Sequence, residues 1–346
     1  MRIGVVGYGT GGQHFHAPFI AAAQGVSLAG VVARAPATVA KVQADLPNTP
    51  IYPSLKAMLD AGVDAVTITT PPQTRRDLVL EAIAAGVHVI ADKPFAPDAP
   101  GGRALARAAE ERGVTLGVYH NRRWDADIRT LRKVIEDGKI GEVWRLHSRM
   151  DFDDPATLEA GPTGGLLRDL GSHLVDQALW LLGPAVSVDA QLDMVTLSEG
   201  ETDAGFVLTL RHENGAHSHI SASKVNRLSS RELRAYGSEG SYVSNGSDVQ
   251  AQAIFAGKRP ADDPKGWGYE PENCWGTLNT EASAEPIPSE QGAYHAYYEA
   301  FAEAVRTGGE PPVTAQEAIA TLAVLDAARL SASEGRTAPL SESDAV

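Results

Sequence analysis

The first 117 residues alternate between two kinds of segment, and that alternation restricts the fold more than any other feature of the chain. Short runs rich in β-branched residues, RIGVV, SLAGVVA, DAVTIT, HVIA and TLGV, read as strands. Between them APFIAAAQ, PATVAKVQADL, SLKAMLDAG, TRRDLVLEAIAAG and PGGRALARAAEERG carry helical spacing. Apolar strands joined by helices of this length pair in parallel with both sheet faces covered, which is a doubly wound α/β domain, here expected over residues 1–120. After about Tyr119 the pattern changes. Helices are expected near Asp125–Asp137 and Leu166–Leu182 and a strand near Val143–Met150; GFVLTLRHENGAHSHISAS, ELRAYGSEGSYVS and VQAQAIFAG then follow as strand-like pieces. Tight turns at ENG and SEG make the sheet largely antiparallel. Helices around Tyr294–Thr307 and Thr314–Glu334 complete an α+β domain over residues 121–346, and the end APLSESDAV is expected to fray.

Composition excludes several function classes. With 346 residues, 43% hydrophobic and 21% charged, the chain can build two cores. A formal net charge of −14 would make a nucleic-acid surface a local exception, and no basic stripe is present. Arg75-Arg76, Arg122-Arg123 and Arg132-Lys133 read as short pairs on solvated faces or beside local carboxylates. The single cysteine, Cys274, has no internal disulfide partner and suits a reducing compartment. The apolar run in MRIGVVGYGTGG is too short and too Gly-broken for a secretory signal, and no apolar run is long enough to span a membrane. A cytoplasmic protein with no membrane, nucleic-acid or metal site is expected.

The most readable chemistry lies in RIGVVGYGTGGQHFHAPFI, where Gly7, Gly9 and Gly12 follow a strand and open a helix in GxGxxG spacing. There the first glycine makes a tight turn, the second lets backbone approach a pyrophosphate, and the third lets helix and strand pack closely. Thr10 and Gly11 complete this dinucleotide-binding turn. His14 and His16 cap the helix, and His16 is expected to reach the cofactor. At the end of the second strand, GVVARAPAT offers no acid for an adenosine ribose. Arg34 stands where it would meet a 2′-phosphate, which favours NADP over NAD; stacking on adenine or facing solvent are its other readings. In HVIADKPF a core strand runs directly into Lys93, a residue seldom buried without a purpose. Farther along, Leu167, Leu170, Leu174, Ala178 and Leu181 form one face of a helix ended by Gly183-Pro184, and Asp169, His173 and Gln177 line a stripe four apart. Gly171 costs that helix roughly 1 kcal/mol relative to Ala, which points to a close approach there. From the residues alone His173 reads equally as a satisfied interdomain histidine. His217 and His219 share a strand face without a third ligand at metal spacing.

GYGTGGQHFHAP, ADKPF, NRRWDAD and GGLLRDLGSHLVDQ, in this order and with these gaps, resemble the Gfo/Idh/MocA family of NAD(P)-dependent oxidoreductases. DPKGWGYEPENCWGTL is similar to its scyllo-inositol-dehydrogenase-like branch. The resemblance implies an N-terminal Rossmann domain and a C-terminal substrate-binding domain. The large open sheet of that second domain commonly forms the oligomer interface, so a homodimer or homotetramer is expected. It further implies hydride transfer between NADP(H) or NAD(H) and a carbinol carbon of a sugar, inositol or related polyol. Lys93, Asp169 and His173 match the family's catalytic lysine, aspartate and histidine, and Lys93 would also touch cofactor and substrate. Thr70 and Pro71 match a cofactor-contacting turn, and Asn121 follows the last Rossmann strand, where it would touch the cofactor. Arg122, Trp124 and Tyr294 would line the substrate pocket or serve as ordinary interdomain residues. Three departures stand out: Asp92 replaces the glutamate usual before the lysine, Arg75 a common histidine, and Arg168 a frequent tyrosine. Two other readings stay open, an NAD-dependent glycoside-cleaving hydrolase and a non-catalytic nucleotide-responsive regulator, although intact Lys93, Asp169 and His173 weigh against the second.

Overall fold

A computed structural model of the chain describes residues 1–161, 164–246 and 248–340. The chain splits into two compact units, the first made of Met1–Asn121, Gln250–Trp267 and Ala293–Ala318, the second of Arg122–Val249, Gly268–Gly292 and the residues from Ile319 on.

Unit 1 is built on six parallel strands, β1 (Arg2–Val6), β2 (Ser27–Val32), β3 (Ile51–Tyr52), β4 (Ala65–Ile68), β5 (His88–Asp92) and β6 (Leu116–Tyr119), in the order β3-β2-β1-β4-β5-β6. Helices α1 (Ala17–Ala22), α2 (Pro36–Asp45), α3 (Leu55–Asp60), α4 (Pro72–Ala84) and α5 (Ala99–Arg112) alternate with them. Every residue of β4 and β6 is buried whichever way its side chain points, the mark of a sheet covered on both faces. The strand order reverses between β1 and β4, where such sheets open a crevice beyond their carboxyl ends.

Unit 2 carries α6 (Ala126–Glu136), α7 (Leu166–Leu182) and the strands β7 (Val143–Asp151), β8 (Ala185–Leu197), β9 (Gly200–His212), β10 (His217–Ser223), β11 (Ser230–Gly237), β12 (Gly240–Ser244), β13 (Gly276–Thr280), β14 (Ala284–Ile287) and β15 (Ala338–Pro339). They form one sheet, β14-β13-β12-β11-β7-β10-β9-β8-β15, antiparallel except for the β7–β10 pair. Alternation sorts its faces: Leu146, Met150, Phe206, Leu208, Ile220 and Leu233 enter the core, while Arg145, His147, Arg211, His219 and Arg234 lie on the other face. Ala338–Pro339 pair with β8, so the expected fraying does not hold there; the rest of that tail, from Ser341, lies outside the described residues.

Three helices come after this sheet has begun: α8 (Val249–Phe255), α9 (Tyr294–Thr307) and α10 (Ala315–Glu334). VQAQAIFAG is therefore a helix and not a strand. Its buried residues, Gln250, Ala251 and Ile254, recur at helical spacing, and Gly257 at φ +83° follows its end. Gln250 explains why residues beyond 249 belong to unit 1 and the boundary is not a single cut at 120/121. Its Oε1 accepts from Trp267 Nε1 at 3.1 Å and from Tyr294 N at 3.0 Å, while Phe19 of α1 meets the Trp267 and Tyr294 rings at 5.8 and 5.1 Å. Among the described residues no helix is long and apolar enough to cross a membrane.

Candidate active site

The glycine-rich loop lies in unit 1. After β1 the backbone turns at Gly7, whose φ of +100° favours glycine. A Cβ on Gly12 would stand 2.2 Å from the Gly7 carbonyl oxygen, so only glycine allows this helix to approach the strand so closely. A Cβ on Gly9 would meet nothing within 4 Å, which leaves that side of the loop open. Thr69 Oγ1 donates to the Gly7 carbonyl at 2.9 Å and ties the loops after β1 and β4 together at the strand-order reversal. A glycine-rich loop, open at Gly9 and exposed at Thr10, fits a pyrophosphate, so Gly7, Gly9, Thr10, Gly11 and Gly12 suit the nicotinamide dinucleotide. The chain enters α1 through a π-helical turn, Gly11–His16, where an α-helix was expected to open directly. Arg34 is exposed just beyond β2, and Ala33 N donates to Tyr52 O at 3.1 Å.

Beyond β5, Lys93 is half-buried and its N–H donates to Asp92 Oδ1 at 2.9 Å. Arg75 supplies the local frame. Its guanidinium, 4% exposed, donates to the carbonyls of Asp92 at 2.9 Å, Pro94 at 2.6 Å and Thr70 at 2.8 Å, so one side chain spans both sides of Lys93 and the turn before Pro71. Arg75 is thus not on a solvated face, and burial pushes its guanidinium pKa down. His16 does not sit in the open cofactor loop: it is wholly buried, with Nδ1 2.7 Å from Tyr298 Oη and 3.0 Å from Thr67 Oγ1, and Nε2 3.5 Å from Asp92 Oδ1. Burial alone would raise the Asp92 carboxyl; His16, Arg75 and Lys93 outweigh it and hold the pKa at about 2. Tyr294 is fully buried, with its ring against that of Phe19. Asn121 is buried at the end of the first segment of unit 1.

The second set of residues lies in unit 2, where α7 is buried on nearly all sides and not along one stripe. A Cβ on Gly171 would meet side chains of Leu167, Leu325 and Phe206, so the close approach there is apolar packing. Arg123 forms a bidentate pair with Asp176 at 2.9 and 2.7 Å, and Gln177 Nε2 donates to the Arg122 carbonyl at 2.9 Å, which makes Gln177 structural. His173 is buried one turn after Asp169, whose side chain is 48% exposed. Lys224 Nζ, in a residue 7% exposed, donates to Asp169 Oδ2 at 3.1 Å. Arg122 pairs with Asp248 at 2.7 Å and Asp125 at 3.2 Å, and Arg231 with Asp125 at 2.6 Å and Asp127 at 2.7 Å. Arg122 is therefore part of an ion network. Trp124 is half-buried and Arg168 buried. Reading the sequence missed Lys224, although its signal matches that of Lys93: a lysine directly after a core strand, in HSHISAS-K.

Residues 1–120 match the oxidoreductase family with an NAD-binding Rossmann fold, and residues 128–243 match the GFO/IDH/MocA C-terminal domain. The chain belongs to the Gfo/Idh/MocA family. As a member of that family it is an NAD(P)-dependent oxidoreductase. It is similar to scyllo-inositol 2-dehydrogenase (NADP(+)) IolW of Bacillus subtilis (strain 168), 32% identical over 347 residues that cover 97% of this chain and 95% of that protein. It is also similar to D-apiose dehydrogenase of Paraburkholderia graminis, 31% identical over 307 residues, 85% of this chain and 78% of the other. The solved structure of the Bacillus subtilis oxidoreductase yvaA matches with a TM-score of 0.89 and 32% identity, over 99% of this chain and 98% of that one.

Proposed function

We propose that this Gfo/Idh/MocA oxidoreductase interconverts a carbinol and a carbonyl on an inositol, sugar or related polyol, with NADP(H) preferred over NAD(H). The observation that carries the reading is the framing of Lys93. A lysine is held at the carboxyl end of β5 by Asp92 and Arg75, in the same unit as the glycine loop that fits the dinucleotide. The nicotinamide, when bound, supplies the acceptor or donor of hydride. His173 takes the hydroxyl proton as the carbinol is oxidised and returns it in the reverse direction. Lys93 donates a hydrogen bond to the same oxygen and stabilises its developing negative charge, and Asp169 orients the substrate and balances the positive charge of the pair. The dehydrogenase relatives named for inositol and apiose support the substrate class. Exposed Arg34 and the absence of an acid at Ala33 support NADP.

The test is a screen of inositols, aldoses, ketoses and dihydrodiols with both cofactors, reading bulk formation of reduced nicotinamide. Bulk reduction also separates a dehydrogenase from a glycoside-cleaving relative that only borrows hydride, and from a regulator that turns nothing over. No polyol-dependent reduction with either cofactor would overturn the proposal.

We further infer a homodimer or homotetramer formed through the outer face of the large sheet, where Val207, on β9 between its register partners Ser221 and Gln191, is 53% exposed. A monomeric mass by light scattering at micromolar concentration would contradict it.

A further inference from the structure

The structure assigns a task to Lys224. We propose that it is the positioning residue of Asp169, holding that carboxylate in one orientation so that it can act on substrate; this rests on the reading that Asp169 works in the active site. Lysine is among the residues least often buried, and an ammonium taken out of water is costly unless a counter-charge meets it. Among the described residues the Lys224 ammonium hydrogen-bonds to Asp169, at 3.1 Å. The pair is lopsided: Lys224 is 7% exposed, while the Asp169 side chain is 48% exposed. A buried ion pair gives little net stability compared with apolar side chains of similar volume, so a pair with one partner buried and the other half in solvent is poorly explained by packing. It is well explained as a way to fix an exposed carboxylate.

Both backbones are rigid enough for that. Lys224 directly follows β10, and its N–H donates to Ala204 O at 2.9 Å, extending the ladder with β9 by one residue. Asp169 sits in the first turn of α7, where its N–H donates to Gly165 O at 3.0 Å and its carbonyl accepts from Ser172 Oγ at 3.0 Å. A carboxylate on a helix, held by a lysine on a sheet, has its rotamer set from two directions.

The test compares Lys224→Met, Lys224→Arg, Asp169→Asn and the Lys224→Met/Asp169→Asn double variant. Against a polyol that the wild type turns over, Lys224→Met is expected to lose on the order of tenfold to a hundredfold in kcat/KM with cofactor affinity unchanged. Lys224→Arg should recover part of that loss, and the double variant should be no slower than Asp169→Asn alone, because both changes remove one function. Independently of turnover, the Asp169 carboxyl followed by NMR should titrate at higher pH in Lys224→Met than in wild type, since a cation 3.1 Å away has gone. An unchanged Asp169 titration in Lys224→Met overturns the proposal whether or not a substrate has been found. So does full activity in Lys224→Met, or losses that add in the double variant. A protein that turns over no polyol while the titration moves as expected would sink the functional reading and leave the Lys224–Asp169 assignment standing.

Discussion

Arg75→Met isolates what holds Lys93 in place, because methionine keeps much of the side-chain length and loses every donor. The guanidinium makes three charge-assisted hydrogen bonds, to Thr70, Asp92 and Pro94 carbonyls, and stands 4.0 Å from Asp92 Oδ2. Each such bond contributes roughly 1.5–3 kcal/mol when its partner is removed. Their sum is an upper bound, because desolvating a buried cation costs several kcal/mol that the variant recovers. The pKa of Arg75, pushed down by burial, has the same origin. The balance is a loss of about 3 kcal/mol in stability, and it falls on the turn that carries Lys93. Freed carbonyls at Asp92 and Pro94 allow the lysine to shift, and a displacement on the order of 1 Å costs about a hundredfold in rate. The expected phenotype combines a melting temperature lower by about 6–12 °C with kcat reduced on the order of a hundredfold. Calorimetric melting and steady-state turnover measure the two arms. Arg75→Lys should fall between, since one ammonium cannot reach three carbonyls in fork geometry. A variant Arg75→Met that melts with the wild type and turns over at its rate would show that the Lys93 turn does not depend on this clamp.

Lys93→Ala and His173→Ala should each lower turnover on the order of a hundredfold or more, with folding and most cofactor affinity retained. Their double variant should lose little beyond either single one, because both groups serve one proton transfer; near-normal turnover in Lys93→Ala would reject the catalytic assignment. Arg34→Ala should weaken NADP(H) binding and leave NAD(H) binding nearly unchanged, as read by fluorescence titration, and wild-type protein that binds NAD(H) as tightly as NADP(H) would contradict the cofactor preference. Asp92, held at about 2 in the folded chain against an ordinary 3.8, stabilises the fold above pH ~4 by about 2 kcal/mol and loses that contribution as pH falls through its folded pKa. Asp92→Asn should therefore cost about 2 kcal/mol near neutrality and almost nothing at the acid end of denaturant titrations run across that window; a pH-independent difference would refute the assignment of charge.

What could be read from the sequence follows from how each residue acts. The strands of unit 1 were legible because parallel, doubly covered strands are apolar throughout; β3, Ile51–Tyr52, is too short to show a pattern and exists through its register with Val31 and Val32. VQAQAIFAG misled because its glutamines alternate as in a strand, whereas Gln250 is buried with Trp267 Nε1 and Tyr294 N as donors, partners that no local period reveals. The Gly7 turn, the close approach at Gly12 and the place of Lys93 at the end of β5 were legible for the opposite reason: residue type and spacing at a strand end already state that local geometry. Arg75 and His16 act on groups the sequence cannot point to, backbone carbonyls in one case and a carboxylate across the fold in the other. Arg75 nevertheless changes what two of the departures mean. The aspartate before Lys93 and the arginine in place of a common histidine look independent in the chain, seventeen positions apart. In the fold they meet: Arg75 takes the Asp92 carbonyl at 2.9 Å and stands 4.0 Å from its carboxylate. The two departures therefore meet at a single contact, and together they frame the lysine that follows the acid.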